Sequence, residues 1–328
     1  MIILNDLHLG VNRVAGTTPQ SAANLKTYMF NQFGRLLNAA NEDLVILGDL
    51  FDGYSVSNAD LLLAYQNLQE WLTRGHKLTM VQGNHDCSND SSKLSSFHLL
   101  CELLDIESVQ GFRTLPDGTQ IISHVLNQDL FDATLSRVQP GKYLLLHCNY
   151  DNHFAVNSDH SLNITKAQVE ALPVEFVVFA HEHHARTALD GKVFVAGNQF
   201  PSSIADCLGG DKAYTRLTDV GPVRVPFWAA AESYVEMPWD AQVLTTAEFV
   251  RLSGRCEPER AAEMSNMVAQ YRRGSGAYIV SNAVEIGTRE EFEAQAAESL
   301  VAAQSFDVMG ALKEFLTVEE FKVLETLE

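Results

Sequence analysis

Leu44-Val45-Ile46-Leu47-Gly48-Asp49-Leu50-Phe51-Asp52 passes from an unbroken apolar run into a glycine and two carboxylates. Four aliphatic residues in a row suit a strand buried on both faces. Acidic groups at its carboxyl end sit where an open α/β sheet places its ligands. Four further segments repeat the arrangement along the chain. Ile2–Asn5 leads into Asp6-Leu7-His8-Leu9-Gly10, and Lys77–Val81 into Gly83-Asn84-His85-Asp86. Tyr143–Leu146 ends at His147, and Phe176–Phe179 runs on to His181-Glu182-His183.

Ligands one residue apart, as in Asp6/His8 and His181/His183, point to the same side of an extended segment. Each pair can then face one centre. Asp49 has two oxygens and can bridge two cations, and Asn84 offers a neutral oxygen that limits the negative charge around them. Carboxylate, imidazole and amide donors together suit Mn²⁺, Fe, Zn²⁺ or Mg²⁺, and the imidazole share favours the borderline metals. Each segment alone says little; all of them in this order point to phosphoester hydrolysis at a two-metal centre. His76, His98, His124, His153 and His160 read as packed or surface residues. His147 has no motif of its own and is preferred to His124 because it ends the strong apolar run Tyr143–Leu146.

The strands alternate with helix-period segments, Ser21–Ala40 and Asn58–Arg74, with Asn58 as N-cap of the second. Another helix is expected within Ser92–Leu104. Pro116-Asp117-Gly118 marks a hairpin turn before the strand Gln120–Ser123, and Val193–Ala196 follows the turn Leu189-Asp190-Gly191. Alternation of this kind predicts a layered α/β domain. Beyond the strand Val223–Trp228, helices are expected over Thr245–Gln270 and Arg289–Ala303 with the strand Ala277–Ser281 between them. The chain is therefore divided into a domain over 1–234, a smaller α/β capping domain over 235–303 and a helical tail over 304–328. In the tail, Phe306, Met309, Leu312, Phe315 and Leu316 recur at helical spacing. A second stripe, Phe321, Leu324 and Leu327, follows the capping-box sequence Thr317-Val318-Glu319-Glu320. These stripes suit packing on the chain's own domain or docking on a partner.

The 328 residues carry a net charge of −19, against the basic footprint expected of a protein that grips duplex DNA unaided. A basic partner subunit and bound cations would offset that acidity. The 46% hydrophobic and 20% charged composition is that of a globular protein. No apolar run approaches the roughly 20 residues that span a bilayer. Met1-Ile2-Ile3-Leu4-Asn5 lacks the basic and small-residue features of a signal peptide. Five scattered cysteines without a CxxC pair point to a reducing cytoplasm.

Together the segments resemble the calcineurin-like metallophosphoesterase superfamily, with its pattern D-x-H, G-D-x-x-D, G-N-H-[DE], a lone H and G-H-x-H. The resemblance covers about 1–205 and implies a layered β-sandwich flanked by helices (αββα). Position by position, it implies one metal held by Asp6, His8, Asp49 and His183. A second would be held by Asp49, Asn84, His147 and His181. His85 would contact the scissile phosphate and protonate the leaving oxygen, and Asp52 would orient and charge-stabilise His85. Ala180 departs from the pattern, which has glycine there.

Asp6-Leu7-His8-Leu9-Gly10 with Gly48-Asp49-Leu50-Phe51-Asp52 is further similar to the SbcD-type nuclease branch, which includes phage recombination exonuclease subunits. Gly197-Asn198-Gln199-Phe200-Pro201-Ser202-Ser203 resembles that branch's G-S/N-x-x-P-x-S turn, and the ending resembles the tail of the phage members. The branch implies a Mn²⁺-dependent DNA exonuclease or endonuclease of a bacterial or phage-infected cytoplasm, acting in DNA repair and recombination. It would work as a homodimer within a heterotetramer with an SMC-like (SbcC-type) ATPase. Phe306, Met309, Phe315, Phe321 and Leu324 would dock on that ATPase. The alternative is a phosphodiesterase for a cyclic nucleotide or nucleotide-like ester, which makes less use of the residues beyond 221. An inactive scaffold is disfavoured, since every ligand position and His85 are intact.

Overall fold

β1 (Ile2–Leu4), β2 (Leu44–Leu47) and β3 (Leu78–Val81) are short, apolar and parallel. Such strands need cover on both faces, and the alternation of side chains decides which cover each residue meets. The computed structural model describes residues 1–12, 15–87, 93–152, 161–241 and 245–287. In it Ile2, Leu4, Leu44, Ile46 and Met80 join a core shared with helices, whereas Ile3, Val45, Leu47 and Val81 face a second sheet.

The helices are α1 (Pro19–Ala39), α2 (Asn58–Leu72) and α3 (Ser96–Leu103). Thr18 starts α1 with a capping box to Ser21, and Pro19 follows at the first helical position. Leu25, Tyr28, Met29, Phe33, Leu36 and Leu37 recur at helical intervals and are buried. The cap of α2 is Ser57, whose hydroxyl accepts from Asp60 N–H at 3.2 Å. Asn58, the expected cap, is instead the first helical residue. Both side chains can cap, and the residue that keeps extended backbone is the one that does.

The facing sheet is built from β4 (Phe112–Thr114), β5 (Gln120–Ile122), β6 (Gly141–His147), β9 (Val174–Ala180), β10 (Arg186–Ala188) and β11 (Val193–Val195). Its order is β10-β11-β9-β6-β5-β4, parallel except at the two edges. A two-stranded ribbon, β7 (Asn149–Tyr150) with β8 (Asn163–Ile164), leaves β6. Ile121, Tyr143, Leu145, Val178 and Phe194 point inward to the first sheet. Ile122, Leu144, Leu146, Val177 and Phe179 point outward to Phe131 and Leu135 of α4 (Gln128–Leu135) and to Val169. Two antiparallel strands, β12 (Lys212–Thr218) and β13 (Gly221–Trp228), complete the first sheet in the order β13-β12-β1-β2-β3. The result is a mixed α/β fold layered as helices, sheet, sheet, helices.

The region beyond Trp228 differs from expectation. β14 (Tyr234–Pro238), β15 (Phe249–Cys256) and β16 (Ile279–Ile286) form a third, all-parallel sheet. Eight residues of the helix expected over Thr245–Gln270, Phe249–Cys256, are therefore strand, and the helix runs Ala261–Gly274. Gly254 has φ +106° and Pro258 follows soon after, so a helix cannot run through this stretch. Val250, Leu252 and Val280 pack on Met264, Val268 and Tyr271 of that helix. Phe249 and Ile279 point the other way, into the core of α1; the Phe249 and Tyr28 rings lie 5.7 Å apart. Arg289–Ala303 and the tail with Phe306, Met309, Phe315, Phe321 and Leu324 lie outside the described residues. Among the described residues no helix is long and apolar enough to cross a membrane.

Trp71 anchors the helix layer: it is 0% exposed and its indole N–H donates to the Ala40 carbonyl at 2.9 Å. Trp71→Ala is expected to cost about 3–5 kcal/mol, read from urea unfolding as a lower midpoint at unchanged slope. A loss under about 1 kcal/mol would mean that the site collapses around the missing ring.

Candidate metal centre

The strand ends of both sheets meet at one end of the sandwich, and there the backbone turns left-handed. Asp6 has φ 49°, His8 φ 45°, Asp49 φ 50° and His181 φ 81°. Such values cost a non-glycine residue about 1–3 kcal/mol and persist where the surroundings over-determine them. Here Asp6 N–H donates to the Gly48 carbonyl at 3.2 Å and His8 N–H to the Asp49 carbonyl at 3.1 Å. His181 N–H donates to Asp6 Oδ2 at 2.9 Å. Two glycines leave room for the side chains. A Cβ on Gly48 would stand 2.1 Å from His147 Nδ1, and one on Gly83 would stand 2.1 Å from Asp49 Oδ1. Ala180 is an ordinary buried strand residue whose methyl fills the core between the sheets.

Three groups bring possible ligand atoms within 4.8 Å of one another: Asp6, His8 and His183; His8, Asp49 and His85; Asp49, His147 and His181. Asn84 joins the last, its Oδ1 lying 3.0 Å from His147 Nε2 and 2.9 Å from His181 Nδ1. The seven expected ligands are thus brought together with His85, and Asp49 stands between the two ends of the cluster. Asp49 is grouped with His8, but not within the set of Asp6, His8 and His183.

The donor set fits a pair of divalent cations. Asp6 is 2% exposed, and its Oδ1 is buried without a hydrogen-bond partner. His147 Nδ1–H donates to the Leu47 carbonyl at 3.0 Å. Its Nε2 then turns a lone pair to Asn84 Oδ1 and to Asp49 Oδ2, the latter 3.4 Å away. His8 Nε2 and His183 Nε2 face each other at 3.1 Å, while His8 Nδ1 stands 3.4 Å from Asp52 Oδ1. His8 Nδ1 is itself buried without a hydrogen-bond partner. Acceptors crowded this way are satisfied by a cation. Without a cation, a His147 protonated on both nitrogens takes that place: its charge and the hydrogen bond it gives hold Asp49 well below the usual carboxylate range, although burial by itself raises that carboxyl.

His85 N–H donates to Asp49 Oδ1 at 2.9 Å, and its ring stands edge-on to His8 at 4.9 Å. Its Nδ1–H donates to the main-chain carbonyl of Asp52 at 2.8 Å. Asp52 therefore orients His85 through its backbone, while its carboxylate lies beside His8. His184 Nε2–H donates to the Ala205 carbonyl at 2.9 Å.

Other contributors were not foreseen. Asp86 is 1% exposed, and its Oδ2 accepts from Asp49 N–H and Gly83 N–H at 2.8 and 2.9 Å. Its place beside His85 in the third motif was a usable signal. Asp206 Oδ1 accepts from His183 Nδ1–H at 2.6 Å; it lies 23 residues downstream in sequence with no motif to mark it. Asn5 and Gln199 bond reciprocally, at 3.0 Å from Asn5 N–H and 2.9 Å to Asn5 Oδ1.

His124, at the end of β5, is tied to the strand before Asn84, its N–H donating to the Gln82 carbonyl at 3.0 Å. Burial, and then the charge of His147, lower its imidazole to about 4 from an ordinary 6.5. Between those values the unfolded chain binds more protons than the folded one. Stability is therefore full above pH 6.5 and is lost as pH falls through that window to about 4. His124→Gln is expected to flatten this part of the melting-temperature profile, and an unchanged slope would refute the neutral imidazole.

A model of the calcineurin-like phosphoesterase family matches residues 1–185, more than half of the chain and the stretch that holds the whole cluster from Asp6 to His183. No curated protein matches the chain significantly. Family and geometry agree on a metal-dependent phosphoester hydrolase with a site for two divalent metals, and the chain belongs to the calcineurin-like phosphoesterase family.

Proposed function

We propose that the chain is a DNA phosphodiester hydrolase, the nuclease subunit that works with an SMC-like ATPase in double-strand-break processing. The observation that carries the hydrolytic part is the convergence of two ligand groups on Asp49 with His85 beside it. DNA as substrate rests on the resemblance of the Asp6–Gly10, Gly48–Asp52 and Gly197–Ser203 segments to the SbcD-type branch. The residues beyond 221 also exceed what a small ester requires.

In this reading Asp6, His8, Asp49 and His183 would hold one cation and Asp49, Asn84, His147 and His181 the other. Mn²⁺ is the expected occupant because the SbcD-type resemblance implies it, and the oxygen donors of Asp6, Asp49 and Asn84 suit it. When bound, such a pair would supply Lewis acidity toward the phosphate and toward water. The chain's own task is to place charge and protons. Asp49, held ionised, stands between the two ends of the cluster. His85 gives its Nδ1–H to the Asp52 carbonyl, so Nε2 is the atom from which a proton can reach the leaving deoxyribose oxygen. Homodimerisation and docking of the 304–328 tail on the ATPase belong to the same proposal.

Purified protein with Mn²⁺ is expected to cleave linear duplex or single-stranded DNA and to leave cyclic nucleotides intact; the reverse result would overturn the choice of substrate. His85→Ala is expected to keep two metals by elemental analysis and to lose about 10²–10⁴-fold in DNA hydrolysis. Asp49→Ala is expected to lose metal as well. Wild-type rates in metal-loaded His85→Ala protein would remove His85 from its role. Deletion of 305–328 should abolish complex formation with the ATPase at unchanged metal content, and a retained complex would refute the docking role.

A further inference from the structure

We infer that Asp206 sets the tautomer of His183 and so decides whether the Asp6 side of the centre can hold its cation. The inference deepens the proposed function and rests on its reading of His183 as a ligand.

Asp206 is 2% exposed and precedes no recognised motif. Its two oxygens are divided between two tasks. Oδ2 accepts from Ser202 N–H at 2.8 Å, the Ser202 hydroxyl at 3.0 Å and Ser203 N–H at 2.9 Å. Oδ1 is left for His183 Nδ1 at 2.6 Å. A carboxylate can only accept, so Nδ1 must carry the proton. In a neutral ring the lone pair then lies on Nε2, and Nε2 is the atom that faces His8 Nε2 at 3.1 Å within the Asp6 group. The ring's backbone is held as well: Lys212, 3% exposed, donates from Nζ to the His183 carbonyl at 3.2 Å. A carboxylate that accepts the other ring proton of a metal-ligating histidine fixes the ring and raises its basicity toward metal.

The bland role for Asp206 is capping. The segment Ile204–Leu208 begins with Ser203, whose hydroxyl accepts from Asp206 N–H at 3.2 Å, and Asp206 returns the bond. One substitution separates the roles. In Asp206→Asn the backbone donors Ser202 N–H and Ser203 N–H demand an acceptor, so the amide oxygen stays with the cap. The amide NH₂ is then turned to His183 Nδ1. Nδ1 must accept, the ring proton moves to Nε2, and the lone pair leaves the centre. The cap survives while the ligand is lost.

The test uses the full chain with ¹⁵N-labelled histidine. In metal-free protein at pH 8, long-range proton–nitrogen correlation reads which ring nitrogen of His183 is protonated. Wild type is expected to show Nδ1–H, and Asp206→Asn to show Nε2–H with an unchanged melting temperature. Calorimetric titration with Mn²⁺ should then find two sites in wild type, one of them weakened about 10–100-fold in the variant. Asp206→Glu, which keeps an acceptor-only group, should restore Nδ1–H. Nε2–H in the wild type, or the wild-type tautomer with two undiminished sites in Asp206→Asn, would overturn the inference. The wild-type result decides even if the variant fails to fold. A wild type that takes up fewer than two Mn²⁺ would count against the two-metal reading instead, and the tautomer comparison would still judge Asp206.

Discussion

Asp86 binds the ends of two neighbouring strands with one oxygen. Its Oδ2 takes Asp49 N–H and Gly83 N–H together, and its Oδ1 lies 3.4 Å from Phe51 N–H. Because β2 and β3 run parallel and in register, their carboxyl ends open side by side, and each would leave backbone donors without partners. A buried carboxylate is costly unless its lone pairs are met, and these donors meet them. The bracket holds Asp49 in its left-handed turn, and Asp49 in turn accepts from His85 N–H. Asp49, His85 and the third motif are thus located from a single buried group.

The second sheet reaches the same point through His147 and His181. The bond from His147 Nδ1–H to the Leu47 carbonyl crosses between the sheets. It does so over Gly48, where any side chain would occupy the space of the ring. His181 reaches back to Asp6 with its backbone N–H. The strained turns at Asp6, His8, Asp49 and His181 are therefore each tied to a strand of the other motif or the other sheet. The apolar layer between the sheets supplies the rigidity that lets strain persist.

Much of this could be read from the chain because strand and ligand adjoin in sequence. Leu44–Leu47 followed by Gly48-Asp49 carries both the buried strand and the group at its end, so fold and site were legible together. Where the partner is remote the sequence was silent. Asp206 serves His183 from a capping segment, and only the fold brings them to 2.6 Å. The polar run of β12, Lys212–Thr218, offered little periodicity, since its place is decided by pairing with β1. Phe249–Cys256 lies in a stretch expected to be helical, and apolar spacing does not register that Gly254 and Pro258 oppose a helix there. The cap of α2 went to Ser57 over Asn58, a difference of one residue that composition cannot resolve.

The pairing of β1 with β12 joins Ile2 to Arg216. During synthesis the first strand emerges long before its antiparallel neighbour. At roughly 5–20 residues per second the delay is on the order of 10–40 s. Over that interval one edge of β1 has no native strand to cover it, and exposed strand edges invite pairing with other chains. Assembly of the centre is under the same clock, because Asp6 receives its bond from His181 and Asn5 pairs with Gln199. A nascent chain therefore carries the first three motifs before the segments that His181 and Gln199 bring to Asp6 and Asn5 have been made.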